Sequence, residues 1–348
     1  MGTLLKYSGI ITKVKAMSSN LLTENDFLTI SQSNTVLEVV SFLKNHPAYS
    51  NAFSMYDERL LHRGDIEKIL IESLYTDYSK LYSFGSSYIR NFLLFYLRRY
   101  EIDLINYCLR IVFNRYAEPF DLSHKREFFD KYSTISIDKL ITSTTPEELV
   151  LNLEGTEYFQ PLKQIMDATD ATLFDYNLAL DLYFYTTLWK HRKKVLDKKE
   201  LDLFTNEIGY KIDLLNLQWI YRSKKYYTLK IAEIYSLLIP ANYHLHKDQL
   251  KQLVEAPTIE DFTKIAMNSY YYKRFSSTDS LSWEQMYQRS LEHCYIKDCR
   301  NFPYSLAPIN MYLYKKENEI NKITTALECI RYGIAPSETL NYIGGIAQ

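Results

Sequence analysis

Three threonines, each followed three residues later by a carboxylate, begin similar segments at nearly equal spacing in this chain. Such a pair is typical of a helix start, because the hydroxyl accepts the third helical N–H and the carboxylate accepts the N–H of the capping residue. The starts lie 110 and 113 residues apart, which indicates three helical modules in series. They are Thr35-Val-Leu-Glu38, Thr145-Pro-Glu-Glu148 and Thr258-Ile-Glu-Asp261, with an aromatic residue 14 positions after each threonine at Tyr49, Phe159 and Tyr272.

Two further helices recur with the same period. One is a long helix predicted near residues 65–84, 174–195 and 283–300. The other is an apolar pattern at helical spacing, complete in its first and last copies. Any two amphipathic helices can be slid into register, but several patterns that share one period favour true repetition. The apolar positions are Ile102, Ile105, Leu109 and Val112, then Ile212, Leu215 and Trp219, then Ile320, Ile323, Leu327 and Ile330.

The composition agrees with an all-α fold. The 348 residues include only nine glycines and nine prolines, so turns are few and helices are long. The modules are not separated by a Ser/Gly/Pro-rich linker or a long charge run, which favours one rigid body. The predicted organisation is an N-terminal helical segment at 1–30 and modules at 31–140, 141–250 and 251–348.

The charge balance argues against nucleic acid as a partner. The chain has 41 basic and 42 acidic residues and a formal net charge of -1, so it has no field that favours phosphate backbones. The densest basic run, at 190–194, is predicted at a helix end, where cations interact well with the helix dipole. The 32 tyrosines fit helix seams and interfaces better than base stacking.

The N-terminal sequence predicts neither secretion nor lipidation. Lys6 interrupts an apolar core and occupies the position where myristoylation needs Ser or Thr. The longest apolar runs are far shorter than the roughly 18 residues that span a bilayer. We expect a cytoplasmic protein without a membrane span, which reaches a membrane only through a partner.

We expect no catalytic residue, no cofactor and no metal site. The glycine-rich loops of nucleotide-binding proteins and the motifs of zinc proteases and serine hydrolases are absent from the sequence. His293, Cys294 and Cys299 cluster, but no second pair of donors follows at zinc-site spacing. Magnesium-dependent terpenoid synthases are an alternative class of all-helical chains, with Asp167 and Asp170 as the nearest candidates. Against it, the doubled aspartate is missing, and Asp170 can equally cap a helix.

Three segments of the chain resemble one protein family. They are Tyr7, Lys13-Val-Lys-Ala-Met17 and Leu21-Leu22 near the N-terminus, Tyr88-Ile-Arg-Asn-Phe92, and Tyr314-Lys-Lys-Glu-Asn-Glu-Ile-Asn-Lys-Ile323. These segments are similar to parts of the C subunit of the bacterial and archaeal V-type (A-type) rotary ATPases and ATP synthases, the relative of the eukaryotic vacuolar ATPase d subunit. Together with the threefold repeat, the resemblance covers nearly the whole chain.

This resemblance implies a non-catalytic coupling protein. In the family, three related helical modules form a funnel with pseudo-threefold symmetry, one copy per complex, on the cytoplasmic face of the membrane proteolipid c-ring. The funnel receives the end of the central shaft, made by subunits D and F, and passes rotation between shaft and c-ring. Packed helices suit that role, because close-packed interiors transmit strain.

The polar side of the repeated helices is the predicted surface for these partners. Arginine-bearing surfaces often bind partners, although exposed charges on a helix are usually only solvated. The candidate interface residues are Arg90, Asn91, Arg98, Arg99, Glu101, Lys211, Lys315, Lys316, Glu317 and Glu319.

A helical-repeat scaffold for unrelated cytoplasmic partners is the competing hypothesis, with the same fold class. Solenoid repeats stack in an open row with atypical caps, whereas a funnel closes its modules around an axis. The arrangement of the modules therefore distinguishes the two hypotheses.

Overall fold

The computed structural model describes residues 2–115, 121–275 and 283–344. Within these ranges the regular elements are helices and no strand is present, which confirms the predicted all-α class. A 3₁₀ turn lies at Glu58–Leu60 and a π-helical turn at Ser223–Tyr227. The α-helices are α1 (Gly2–Ser18), α2 (Glu24–Ser31), α3 (Val36–Asn45), α4 (Ser50–Phe53), α5 (Arg63–Phe84), α6 (Ser87–Asn114), α7 (Ser123–Tyr132), α8 (Ile137–Ile141), α9 (Pro146–Asn152), α10 (Phe159–Met166), α11 (Leu173–Val195), α12 (Lys198–Arg222), α13 (Ile231–Leu237), α14 (Lys247–Glu255), α15 (Ile259–Met267), α16 (Tyr270–Phe275), α17 (Trp283–Asn301), α18 (Ala307–Arg331) and α19 (Pro336–Tyr342).

The helices follow one order three times. Three short helices are succeeded by two long helices in α2–α6, in α8–α12 and in α14–α18, and we call each of these groups a set. The module borders predicted at 30/31, 140/141 and 250/251 fall inside α2, α8 and α14. A border placed before each of these helices keeps every set whole. The division into three modules stays a prediction.

The three predicted helix starts are confirmed. Each threonine is an N-cap whose hydroxyl accepts the N–H three residues on, a bond typically worth about 1 kcal/mol. Two carboxylates reach one residue further than predicted: Glu38 accepts the N–H of Asn34 and Glu148 that of Thr144, both at 2.8 Å. The caps are Thr35 of α3, Thr145 of α9 and Thr258 of α15.

The long helices predicted near 65–84, 174–195 and 283–300 are confirmed as α5, α11 and α17. Thr172 caps α11, and its capping box with Asp175 is complete. Asp170, an alternative cap in the sequence analysis, instead precedes the helix in a left-handed conformation with φ 60. A local hydrogen-bond pair therefore fixes the start of α11 without Asp170.

The chain divides into two compact units. Unit 1 consists of Met1–Arg90, Ser123–Lys125 and Phe302–Gln348, so segments from both ends of the chain share one core. In it, α18 packs against α1, α2, α3, α5 and α19. Tyr7 and Leu327 are buried in this core.

Unit 2 consists of Asn91–Leu122 and Arg126–Asn301. Here α12 packs against α11, α13, α15 and α17. The ring of Tyr243 approaches α12 so closely at Gly209 that a Cβ atom there would lie 2.5 Å from the ring carbon Cγ. Only glycine permits this contact without displacing the ring.

Candidate partner interface

The second long helix of each set carries a buried carboxylate that accepts a hydrogen bond from a buried tyrosine. Each of the six side chains is at most 7% exposed. The first pair below lies in unit 1 and the other two lie in unit 2. The pairs are Tyr49 and Glu319 of α18 (2.6 Å), Tyr158 and Glu101 of α6 (2.6 Å), and Tyr271 and Asp213 of α12 (2.8 Å).

The three tyrosines lie at the start of the third short helix of each set. Tyr49 and Tyr158 are the N-cap residues of α4 and α10, and Tyr271 lies in the first turn of α16. The sequence register assigned the second and third aromatic positions to Phe159 and Tyr272. The structure corrects both by one residue, because the segment after the second and third threonine is shorter by one residue than after the first.

A second donor reaches each carboxylate from the loop before the first short helix of a set. The buried charges therefore keep several hydrogen bonds, as a carboxylate removed from water requires. The donors are the Leu22 N–H to Glu319, the Ser133 hydroxyl to Glu101, and the N–H groups of Tyr243, His244 and Leu245 to Asp213.

Burial dominates the electrostatics of these pairs. Desolvation raises the pKa of Glu101, against the lowering effect of its hydrogen bonds with Ser133 and Tyr158. Desolvation likewise raises the pKa of Asp213 to about 6, although its hydrogen bonds lower it. Burial and the adjacent carboxylate raise the pKa of Tyr271, so its hydroxyl remains a donor.

Seven of the predicted interface residues are exposed or half-buried. Several already have contacts within the chain. Arg90 donates to the carbonyl of Tyr82 (3.0 Å), and Arg98 pairs with Glu157 (2.6 Å). The exposed residues are Arg90 and Asn91, and the half-buried ones are Arg98, Arg99, Lys211, Lys315 and Glu317.

The other three predicted interface residues are buried. Glu101, Lys316 and Glu319 are 7%, 1% and 4% exposed and bond to groups of the chain itself. Their positions in the sequence predict a polar helix side open to partners. In the structure their charged groups are buried and hydrogen-bonded to other groups of the chain.

Unit 2 has an exposed aromatic surface that the sequence patterns did not predict. It surrounds the π-helical turn, and it adjoins an apolar cavity of about 410 Å³ lined by Phe174, Trp219 and Leu237. Thr228 follows the turn in a left-handed conformation with φ 49, which is rare for a β-branched residue. The adjacent tyrosines were the available sequence signal. The exposed side chains are Tyr226, Tyr227, Ile231 and Tyr235.

Residues 2–115, 121–275 and 283–344 contain neither a metal-binding cluster nor a membrane-spanning helix. No group of three or more His, Cys, Asp or Glu side chains in these ranges is arranged to hold a metal ion. The Cys294 thiol, a candidate donor in the sequence, is buried and hydrogen-bonded to Asp298. None of the helices in the same part of the chain combines the length and apolar character needed to cross a membrane.

The model of the ATP synthase (C/AC39) subunit family matches residues 10–342 of this chain. The chain belongs to this family. The family resemblance that three sequence segments indicated is thereby confirmed.

Curated relatives agree along the whole chain. The C subunit of the A-type ATP synthase from Thermococcus kodakarensis is 26% identical, with 98% of this chain and 91% of the relative covered. The protein of the same name from Methanosphaera stadtmanae is 24% identical, with coverages of 94% and 85%. That from Archaeoglobus fulgidus is 23% identical, with coverages of 97% and 96%. The C/AC39 family assignment therefore applies to both units.

Proposed function

We propose that the chain is a non-catalytic central-rotor component of a V-type (A-type) rotary ATPase. It couples the shaft subunits D and F to the membrane proteolipid c-ring during ATP-driven ion pumping or ATP synthesis. The family match over residues 10–342 supports the general part of this proposal, that the chain is a subunit of a rotary ATPase. In the proposal a single copy per complex lies at the inner face of the membrane, held there by the c-ring.

The buried tyrosine–carboxylate pairs support a role in transmitting torque. Each pair joins a short helix of one set to a long helix through a buried hydrogen bond. Loosening such a joint removes one of the donors of a buried carboxylate, which costs about 1–3 kcal/mol. Joints of this kind resist shear, and a protein that passes rotation needs that resistance.

The order of the three pairs supports a closed arrangement of modules. The tyrosine of the second set bonds to the long helix of the first set, and that of the third set to the second. The tyrosine of the first set bonds to α18 of the last set, 270 residues away. An open row of repeats leaves its first repeat without such a partner. We therefore favour the three-module funnel over the open helical-repeat scaffold.

Co-purification tests the proposed function. Tagged shaft subunits D and F, and separately the detergent-solubilised c-ring, should each retain the wild-type chain. Reversing the charge of a half-buried candidate, Lys211→Glu or Lys315→Glu, should weaken one of these interactions about tenfold, equivalent to about 1.4 kcal/mol. Lys251→Glu, at an exposed position of α14, is the matched control.

The result for the wild-type chain decides the proposal. Retention by neither the shaft subunits nor the c-ring contradicts the coupling role. Retention of both reversed variants at the wild-type level, with unchanged helix content, removes Lys211 and Lys315 from the interface and leaves the coupling role in place.

A further inference from the structure

Unit 1 contains a polar cavity that the proposed function does not use. Its volume is about 300 Å³, and it lies between the start of α4, α5 and α18. Ala48, Glu72, Asp77, Tyr312 and Lys316 are among the residues that line it. The equivalent positions of the other two sets explain why this space is open.

At the two tyrosine–carboxylate pairs of unit 2, the residue before the buried tyrosine pairs with the residue three positions before the buried carboxylate. Glu157 precedes Tyr158 and accepts from Arg98 (2.6 Å). Tyr270 precedes Tyr271 and shares a hydrogen bond with Tyr210 (2.7 Å). The same two positions thus hold a side-chain pair in both copies.

Unit 1 has only one half of this pair. The positions are occupied by Ala48, which precedes Tyr49, and by Lys316, three residues before Glu319. The methyl group of Ala48 has no acceptor, and both residues line the cavity. The cavity therefore occupies the place where the copy in α6 and α10 holds the carboxylate of Glu157.

The buried ammonium group of Lys316 can bind a further anionic group. Its side chain is 2% exposed, and Nζ lies 3.2 Å from Glu319 and 3.8 Å from the centre of the Tyr49 ring. Glu319 also accepts hydrogen bonds from Tyr49 and Leu22, so Lys316 shares this carboxylate with two other donors. An ammonium group has three N–H donors, and Glu319 and the Tyr49 ring do not use all of them. An acceptor in the cavity would bind a remaining donor.

The acids already in the cavity wall do not fill this role. Asp77 accepts from Tyr312 (2.6 Å) and pairs with Lys80 (2.9 Å). Burial lowers the pKa of Lys316, and the charge of Asp77 opposes this lowering less than the charge of Glu319 does. Burial raises the pKa of Glu72, and the charge of Lys68 opposes this rise.

We propose that this cavity receives an aspartate or glutamate side chain from a protein bound to unit 1, and that this side chain pairs with Lys316 as Glu157 pairs with Arg98. The identity of that protein, a shaft or ring subunit, rests on the proposed function. The acidic chemistry rests on the Arg98–Glu157 pair at the equivalent positions and on the positive charge of Lys316.

The first test needs no partner. Ala48→Glu places a carboxylate where Glu157 stands in the other set, and Ala48→Gln has nearly the same size without the charge. We expect a higher thermal midpoint for the glutamate variant than for the glutamine variant, at a pH where glutamate is ionised. A lower midpoint for the glutamate variant shows that Lys316 does not accept a carboxylate from this side, and overturns the proposal.

The second test uses partners in the co-purification assay. Both Ala48 variants occupy the cavity, so each should weaken binding to the shaft subunits or to the c-ring at least tenfold, while helix content is unchanged. Wild-type binding by both variants overturns the cavity proposal alone. Failure of the wild-type chain to bind either partner overturns the proposed function, and with it the partner named here.

A free dicarboxylate distinguishes a protein side chain from a small molecule. Glutarate is titrated against the wild-type chain, with chloride at equal ionic strength as the reference. Stabilisation by glutarate that Ala48→Glu abolishes, together with weakened assembly, supports the proposal. Stabilisation by glutarate with assembly unchanged in both variants assigns the cavity to a small carboxylate and overturns the protein source.

Discussion

Both units contain buried carboxylates that accept hydrogen bonds from residues distant in the sequence. Glu101 is the acceptor for Tyr158 and Ser133, at a side chain that is only 7% exposed. A donor removed from such a site leaves the desolvation cost of the carboxylate in place. Single substitutions that remove such a donor therefore test the stability of each unit directly.

Tyr158→Phe should destabilise unit 2 by about 1–3 kcal/mol, because Glu101 loses a buried donor while the ring packing is kept. The urea midpoint of unfolding measures the loss. Tyr183→Phe is the matched control, since its hydroxyl bonds to the more exposed Glu157 and should cost less than about 1 kcal/mol. Equal losses in the two variants contradict the special role of the buried pair.

Asp213 should make the stability of unit 2 depend on pH. Burial raises its folded-state pKa from 3.8 to about 6, so the folded chain binds more protons than the unfolded chain between these values. The free energy of unfolding then falls as pH rises through this window, by up to about 3 kcal/mol, and levels above it. The wild-type chain should therefore lose stability relative to Asp213→Asn as the pH rises from 4 to 7. Urea unfolding at several pH values in this range measures the difference. A difference that is constant with pH excludes the raised pKa.

Gly209→Ala should destabilise unit 2 by about 1–3 kcal/mol, because the new methyl group collides with the Tyr243 ring. Gly64→Ala in α5 is the control: a Cβ atom added there would have no neighbouring atom within 4 Å, and alanine favours helix by up to about 1 kcal/mol. Thermal unfolding should show a lower midpoint for the first variant and an unchanged or higher midpoint for the second.

The sequence predicts the helix starts well, because the hydrogen bonds that fix them join residues close together in the chain. An N-cap and its carboxylate lie three residues apart, so Thr35, Thr145 and Thr258 identify α3, α9 and α15 without knowledge of the fold. Apolar spacing likewise located α5, α11 and α17 to within a few residues. It was weaker where a loop changed length, as at Phe159 and Tyr272.

Thr258→Ala should cost about 1 kcal/mol, because the first turn of α15 loses the acceptor for the Asp261 N–H. Thr258→Ser keeps the hydroxyl and should remain within about 0.5 kcal/mol of wild type. Urea unfolding of the two variants under the same conditions gives the comparison. A serine variant as unstable as the alanine variant means that the cap hydrogen bond is not the cause.

At the scale of the whole molecule, the proposal depends on whether the sets close on themselves. Small-angle scattering in solution tests it, since three modules around an axis give a smaller radius of gyration than the same modules in an open row. A profile that fits only an extended row removes the funnel and favours the helical-repeat scaffold.

The helical class, most helix starts and the resemblance to the C/AC39 family follow from the sequence, because these depend on bonds and spacings within a few residues. The burial of charged side chains depends on tertiary contacts, which the sequence does not reveal. Glu319 looks like a solvated helix residue in the sequence, yet Tyr49, 270 positions away, covers it. The consequence of Ala48 was equally hidden, since an absent side chain opens a cavity only when distant helices surround it.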